Sequence, residues 1–440
     1  MALYRKDLGN GIYYNHLQTD RFKTSYFSVN FILPLEEETV AYYTVLPLIL
    51  HRGCEKYPDR KQLARRLEAL YGAGLEVRNT KIGEMQVVNF SINMIDNAYL
   101  PIGESLDVLK ETLQLLKEVL TEPLFDNGDF LAAYKEGEIR NAADSRRAVI
   151  NNKQLYAYER CISLMFEGER YSIPADGRLD HYENIERTRF VQAYQDMLKS
   201  ARIEMFFIGH APSSDMIQVA SELLGSIKRQ YREPTLASKP SHRRDVQQIE
   251  EQTRAEQGKL VIGYRTGITL QDSDATAFAL FNEILGGAPS SKLFMNVRER
   301  MSLCYSCSSV GDLMKGALFV LAGIDNKNLE ITLAEIEQQL EHIRQGDITD
   351  EEWNCAKQSL IGGYQSLPDS AEAMRSWYLR RIVGGMFEEP EDAIHKIEAL
   401  QKKDVIAVAK KVKADTIYFL KGIKSKIYNE ADTGEAEEEA

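Results

Sequence analysis

The sequence is poor in cysteine, with five in 440 residues, at positions 54, 161, 304, 307 and 355. They are too few and too scattered for a disulfide framework. Cys304 and Cys307 form a C-x-x-C, but "LCYSCSSV" reads as a strand, where odd spacing sends two side chains to opposite faces. No further ligands lie near them in sequence to complete a tetrahedral zinc site. No stretch approaches the roughly eighteen uninterrupted apolar residues of a membrane-spanning helix. The opening "MALYRKDLGNGIYYNH" carries charges early and has no apolar core, so no signal peptide is expected and the cytoplasm is the expected location. Positive charge is in deficit: 54 Lys and Arg against 66 Asp and Glu give a net charge of -12, which argues against nucleic acid as a partner. Six of those acids fall in the last twelve residues, "NEADTGEAEEEA", so residues 429–440 read as a disordered acidic tail. The seven histidines show no H-x-x-x-H or H-x-x-E-H spacing. There is also no G-x-S-x-G elbow, no P-loop and no G-x-G-x-x-G after a strand. Gly286 and Gly287 in "ILGGAPSSK" read as a helix C-cap and tight turn.

What is present is an ordinary globular composition, 44% hydrophobic and 27% charged, in a chain too long for one core. The chain repeats itself. "IERTRFVQAYQDMLKSARIEMFFIGH" at 185–210 and "IEALQKKDVIAVAKKVKADTIYFLKG" at 397–422 both read as a helix followed by a strand ending in glycine. Earlier, strand "SYFSVNFILP", a helix over 38–52, helix "RKQLARRLEALYGAG" and strands "LEVRNT" and "MQVVNFSINM" have counterparts in the second half. Those counterparts are "KLVIGYRTG", "SDATAFALFNEILGG", "SSKLFMNVRERM", "LCYSCSSVG" and "GALFVLAGI". The pattern predicts an α+β fold of two homologous domains, 1–227 and 259–428, each a mostly antiparallel sheet with helices packed on one side. The polar, aperiodic stretch 228–258 between them reads as a linker.

The order of elements, together with "EILGGAPSSKLFMNVRERMSLCYS" and "HRGCEKYPDRKQLARRLEALYGAGLEV", resembles the M16 zinc peptidases, which include insulin-degrading enzyme, pitrilysin and the mitochondrial processing peptidase. Active members carry an inverted H-x-x-E-H on the first long helix, just before a short basic-glycine stretch. Aligned on "HRGC", the five motif positions fall on "TVLPL", residues 44–48. Thr44 and Leu48 then stand where the two zinc-binding histidines belong, and Pro47 stands in place of the glutamate. Two imidazoles at i and i+4 can share one ion on a helix face, and a neighbouring carboxylate can take a proton from metal-bound water. Thr44 is a poor ligand and Leu48 is none. His51 has no second ligand at helical spacing and reads as a helix-end histidine. Pro47 should kink the helix. For the family's third ligand, a glutamate on a later helix, Glu136 and Glu138 are the candidate counterparts.

The resemblance also implies what is kept. The family's second-half motif has an Arg and, seven residues on, a Tyr, and "RERMSLCY" places Arg298 and Tyr305 at that spacing. In active relatives the pair holds substrate backbone and stabilises the charged intermediate, a task suited to a fixed cation and a phenol donor. Residue type alone leaves them as ordinary surface groups with ion-pair partners such as Glu299. The resemblance therefore implies a catalytically inactive subunit without metal or cofactor of its own. Such a subunit would pair with an H-x-x-E-H homologue that holds the zinc, or pair with itself in isolation. The substrate implied is a peptide, added as a strand to a sheet edge, for which 317–324 and 86–94 are the expected strands. The alternative is a non-enzymatic peptide-binding or scaffold protein.

Overall fold

The computed structural model describes residues 2–103, 105–225, 227–234 and 245–423, so the expected tail over 429–440 and part of the expected linker lie outside the described residues. The first sheet is built from β1 (Tyr4–Gly9), β2 (Ile12–Gln18), β3 (Thr24–Pro34), β4 (Gly74–Ile82), β5 (Met85–Ile95) and, after a short hairpin of β6 (Phe125–Asp126) and β7 (Asp129–Phe130), β8 (Arg202–Gly209). The second sheet uses β9 (Gln247–Arg254), β10 (Gly258–Arg265), β11 (Cys304–Asp312), β12 (Ala317–Ile324) and β13 (Lys413–Ile423).

Strand order is β1-β2-β8-β3-β5-β4 in the first sheet and β11-β12-β10-β13-β9 in the second. Read from β4 and from β11, the two orders are the same, with β1 as an addition to the first. In each sheet one pairing is parallel, β2 with β8 and β9 with β13, and the rest are antiparallel. The duplication legible in the sequence is thus a duplication of topology. β9 arises inside 228–258, where the sequence shows no regular pattern. Its alternating, largely polar "QQIEEQTR" is that of an edge strand with one half-buried face.

The helices used below are α1 (Val40–Leu50), α2 (Arg60–Ala69), α3 (Val108–Thr121), α4 (Ala132–Ala148) and α5 (Lys153–Met165). The chain forms two compact units that interleave along the sequence. One comprises 1–149, 166–239 and 362–396, and the other 150–165, 240–361 and 397–440. α5 therefore belongs to the second unit, where it lies on β10 and β13. Tyr158 packs edge-on against Phe319 with ring centroids 5.1 Å apart, and the absence of a side chain at Gly263 leaves room for Met165 Sδ, 2.6 Å from where a Cβ would stand. The other face of the same sheet is covered by an apolar cluster that includes Leu260, Ile262, Phe278, Leu285 and Ile336. Helices on both faces, rather than the expected one, explain why β10 reads "GKLVIGYR" with hardly a polar interruption. In the first unit β3 is likewise buried along nearly its whole length.

Candidate functional site

α1 packs on β4, β5 and α4. Its sequence "VAYYTVLPLIL" is apolar all round, and ten of its eleven residues are buried, so it is a core helix with no polar face of its own. The helix runs unbroken from Val40 to Leu50 through Pro47, without an interruption at the expected kink.

Thr44, Pro47 and Leu48 line one cavity of about 210 Å³ in the first unit. Val77, Arg78 and Asn79 of β4 form one wall, Ala142, Ser145 and Arg146 of α4 another, and Val149, Asp176 and Tyr182 complete it. The cavity thus lies where the resemblance places the metal. Thr44 is fully engaged there. Its hydroxyl donates to the Val40 carbonyl at 2.8 Å, one turn back, and accepts from Asn79 Nδ2 at 2.9 Å and from Gln86 Nε2 at 3.3 Å. Asn79 Nδ2 also donates to the Ala175 carbonyl at 2.8 Å, and Gln86 Nε2 to the Val40 carbonyl at 3.0 Å. The Tyr182 hydroxyl donates to the Asp176 carbonyl, and burial raises its pKa above that of a free tyrosine. Lone pairs that a metal could use are already taken by neutral amides.

The residues do not fit zinc. Leu48 and Pro47 have no donor atom, and no group of three or more His, Cys, Asp or Glu that could hold a metal exists among the described residues. His51, at the end of α1, donates from Nε2 to the Leu75 carbonyl at 3.2 Å, and burial lowers its pKa, so it is a neutral structural histidine. Glu136 and Glu138 do not line the cavity. Glu138 is buried in an ion pair with Arg52 and accepts from Asn141 Nδ2 at 3.1 Å, while Glu136 lies 3.6 Å from Arg187 Nε. On α4 it is Ala142, one turn beyond Glu138, that faces Thr44 and Leu48 across the cavity. The residues not foreseen from the sequence are Asn79, Gln86 and Tyr182. The period-2 alternation of β4, with Leu75, Val77 and Asn79 on the more buried face, is the signal that could have marked Asn79.

In the second unit, Arg298 sits on the helix Leu293–Arg300, which is wound with i to i+5 bonds such as Met301 N–H to the Asn296 carbonyl. Its guanidinium lies over the Phe294 ring at 4.5 Å, and Nε is 3.5 Å from Glu299 Oε1. Tyr305 is the second residue of β11 and is 69% exposed. A bulge between Cys304 and Ser306 makes Tyr305 an extra residue against β12, which turns it outward. The same bulge overturns the opposite-face reading of the C-x-x-C: Cys304 and Cys307 are both buried in one core cluster. A hydrogen bond between the two thiols lowers the pKa of Cys304 and raises that of Cys307. Gly286 is not a left-handed cap; a Cβ there would come within 2.6 Å of the Ser309 backbone nitrogen, so it permits close approach to β11.

The expected peptide-adding strands are also corrected. β5 and β12, which contain 86–94 and 317–324, are interior strands, and the edges are β1 and β4 in one sheet and β11 and β9 in the other. Strand order is a long-range property, and in each of these hairpins it is the first strand that lies outside.

The profile described as Peptidase M16 inactive domain matches residues 184–360. The chain is 30% identical over 425 residues, 95% of its length and 97% of the relative's, to a Bacillus subtilis protein described as a probable inactive metalloprotease, YmfF. It is 26% identical over 257 residues, 56% of each chain, to an uncharacterized zinc protease of Streptomyces coelicolor. Among solved structures, a conserved protein from Enterococcus faecalis superposes with a TM-score of 0.89 at 29% identity, covering 96% of this chain and 99% of that one. A peptidase M16 inactive domain from Pseudomonas fluorescens shares the fold, with a TM-score of 0.78 at 17% identity over 97% of this chain and 100% of that one.

Proposed function

The chain is an inactive member of the M16 peptidase family, and from that premise we propose that it is the non-catalytic half of a two-chain zinc peptidase. Its partner is an M16 homologue that keeps H-x-x-E-H and holds the zinc, and the substrate is a peptide or an unfolded segment. This chain needs no metal of its own, and its place of work is the cytoplasm. Arg298 and Tyr305 act at the partner's metal, where the guanidinium and phenol hold the substrate backbone and stabilise the oxyanion as it forms. The observation that carries the reading is the asymmetry between losses and retentions. The positions that the resemblance assigns to metal binding, Thr44, Pro47 and Leu48, hold one poor ligand and two groups that cannot ligate, whereas Arg298 and Tyr305 stand at the spacing of the family motif and lie at the surface.

The test is co-purification with an H-x-x-E-H homologue, followed by hydrolysis of a quenched-fluorescent unstructured peptide. The mixed enzyme should turn over, this chain alone should not even with added zinc, and Arg298→Ala in this chain should cost on the order of 100-fold in turnover. Unchanged turnover would remove the proposed role of Arg298. A second reading, peptide holding or scaffolding without hydrolysis, is favoured by the place of β4 at the end of its sheet. Peptide binding by this chain with no homologue that co-purifies would select it.

A further inference from the structure

The C-x-x-C of β11 has no part in the proposed function, and the bulge gives it a geometry that its spacing conceals. In a regular strand, residues three apart point to opposite faces. Here Cys304 is matched with Ile324 and Cys307 with Ala322, which are two apart on β12 and so share a face, while Tyr305 is surplus to the ladder. Both cysteines accordingly enter the same apolar cluster, 7% and 4% exposed, and their thiols are joined by a hydrogen bond.

Reactivity follows from the pairing. A cysteine is nucleophilic as its thiolate. The hydrogen bond from Cys307 lowers the pKa of Cys304, burial works against that lowering, and the charge of Arg298 adds to it. At Cys54 and Cys161, by contrast, burial raises the thiol pKa. Cys304 is also the first residue of β11. It follows a turn in which Met301 is exposed and Ser302 is left-handed, with φ 52°, so opening the end rung of the ladder uncovers its sulfur.

We propose that Cys304 and Cys307 are a redox site, which hydrogen peroxide closes to an intramolecular disulfide across the bulge. The Cys304 thiolate attacks one peroxide oxygen, the O–O bond breaks, and a sulfenic acid forms as hydroxide leaves and takes up the proton that Cys304 gave up. Cys307 Sγ then attacks the Cys304 sulfur, the S–O bond breaks, and the oxygen departs as water with the Cys307 proton. Two thiols are thereby oxidised by two electrons, and one peroxide is reduced to two waters. The bridge encloses Tyr305 in a small covalent loop, at the residue to which the proposed function gives a role. The pairing itself does not rest on that role.

Trypsin releases both cysteines in one peptide, 301–315, because Arg300 precedes it and Lys315 ends it. The folded full chain is treated with hydrogen peroxide, quenched with catalase, unfolded in urea with iodoacetamide, digested and weighed by mass spectrometry. Peptide 301–315 should lose two hydrogens and take no alkyl group unless it is reduced first. It should do so at least about tenfold faster than Cys355 is oxidised, although Cys355 is the more exposed thiol. Cys307→Ser should instead leave Cys304 as a sulfenic acid that dimedone traps. If 301–315 still takes two alkyl groups once Cys355 has oxidised, or gains oxygen in place of the bridge, the proposal is wrong. A bridge that forms only when peroxide is added to the urea-unfolded chain would also overturn it, since the fold would then play no part. The deciding measurement uses the natural chain, so it holds even if Cys307→Ser fails to fold. It is read on this chain alone, so failure of the two-chain enzyme to hydrolyse peptide leaves its outcome untouched.

Discussion

The two sheets share a strand order but bury different polar groups. In the first unit, polar side chains lie inside the sheet. Asn15, Ser28, Asn30, Asn89 and Glu204 are all buried and linked by hydrogen bonds, with Arg5 clamping Glu204 Oε1 at 2.8 Å and Asn30 receiving Asn89 Nδ2 at 2.8 Å. In the second unit the matching strands bury Val261, Gly263 and Phe319 beneath α5 together with one ion pair, Arg265 Nε to Asp415 Oδ2 at 2.7 Å, while Arg298 and Tyr305 stand outside. A topology fixed by apolar contacts thus tolerates relocation of its polar content. The first unit has a cavity whose Thr44, Pro47 and Leu48 cannot assemble a metal site, and the second has an arginine and a tyrosine that take no part in the core.

The sharpest way to break this comparison is to return chemistry to the cavity. Thr44→His, Pro47→Glu and Leu48→His together should give only weak zinc binding, because α4 presents no carboxylate to the cavity. Adding Ala142→Glu, from the wall opposite Thr44 and Leu48, should tighten zinc binding about a hundredfold or more, read by titration against a zinc indicator. If the fourth substitution leaves affinity unchanged, the cavity is not the remnant of a metal site.

Much of this was legible in the sequence because the strands are strongly periodic. β3, β5, β10 and β12 appear at nearly the expected positions, and the matching ends at 185–210 and 397–422 announce the duplication. What was not legible depends on contacts distant in sequence. β9 has a single large apolar residue, Ile249, and becomes a strand only because β13 offers it a parallel edge. The bulge at Tyr305 breaks the period-2 rule at the residue that mattered most, turning Tyr305 outward and both neighbouring cysteines inward. The cavity wall on α4 could not be chosen among Glu136, Glu138 and Ala142 without the helix packing, and charge pointed to the wrong turn.

Burial of polar groups in the first unit also predicts an acid sensitivity that the second unit lacks at the corresponding place. His16 on β2 is buried, its Nδ1 accepts from the Tyr14 hydroxyl at 2.6 Å, and its ring stacks on Phe207 at 5.2 Å. Burial lowers its pKa from the usual 6.5 to about 4. The unfolded chain therefore binds this proton first. The stabilising contribution is complete above pH 6.5, declines as pH falls, and is exhausted near pH 4. At 1.36 kcal/mol per unit the ceiling is about 3 kcal/mol, and about 2 kcal/mol is expected. Urea unfolding at several pH values should show this loss in the natural chain and a flatter profile in His16→Phe. Identical profiles would mean that His16 takes up its proton alike in the folded and the unfolded chain.

A pair of glycines gives the smallest and most direct contrast. Gly286, in the second unit, faces the backbone of β11, with Ser309 N at 2.6 Å and Leu293 Cδ1 at 2.8 Å from an added Cβ. Gly137, inside α4 of the first unit, has nothing within 4 Å of an added Cβ. Gly286→Ala should therefore cost about 1–3 kcal/mol, since a rigid backbone atom has to yield. Gly137→Ala should gain about 0.5–1 kcal/mol through better helix propensity. The two changes add the same methyl group, so opposite signs in thermal unfolding isolate packing from propensity. If Gly286→Ala proves neutral, β11 can shift away from its helix, and the surface position of Tyr305 would then reflect a loosely held edge rather than a fixed arm.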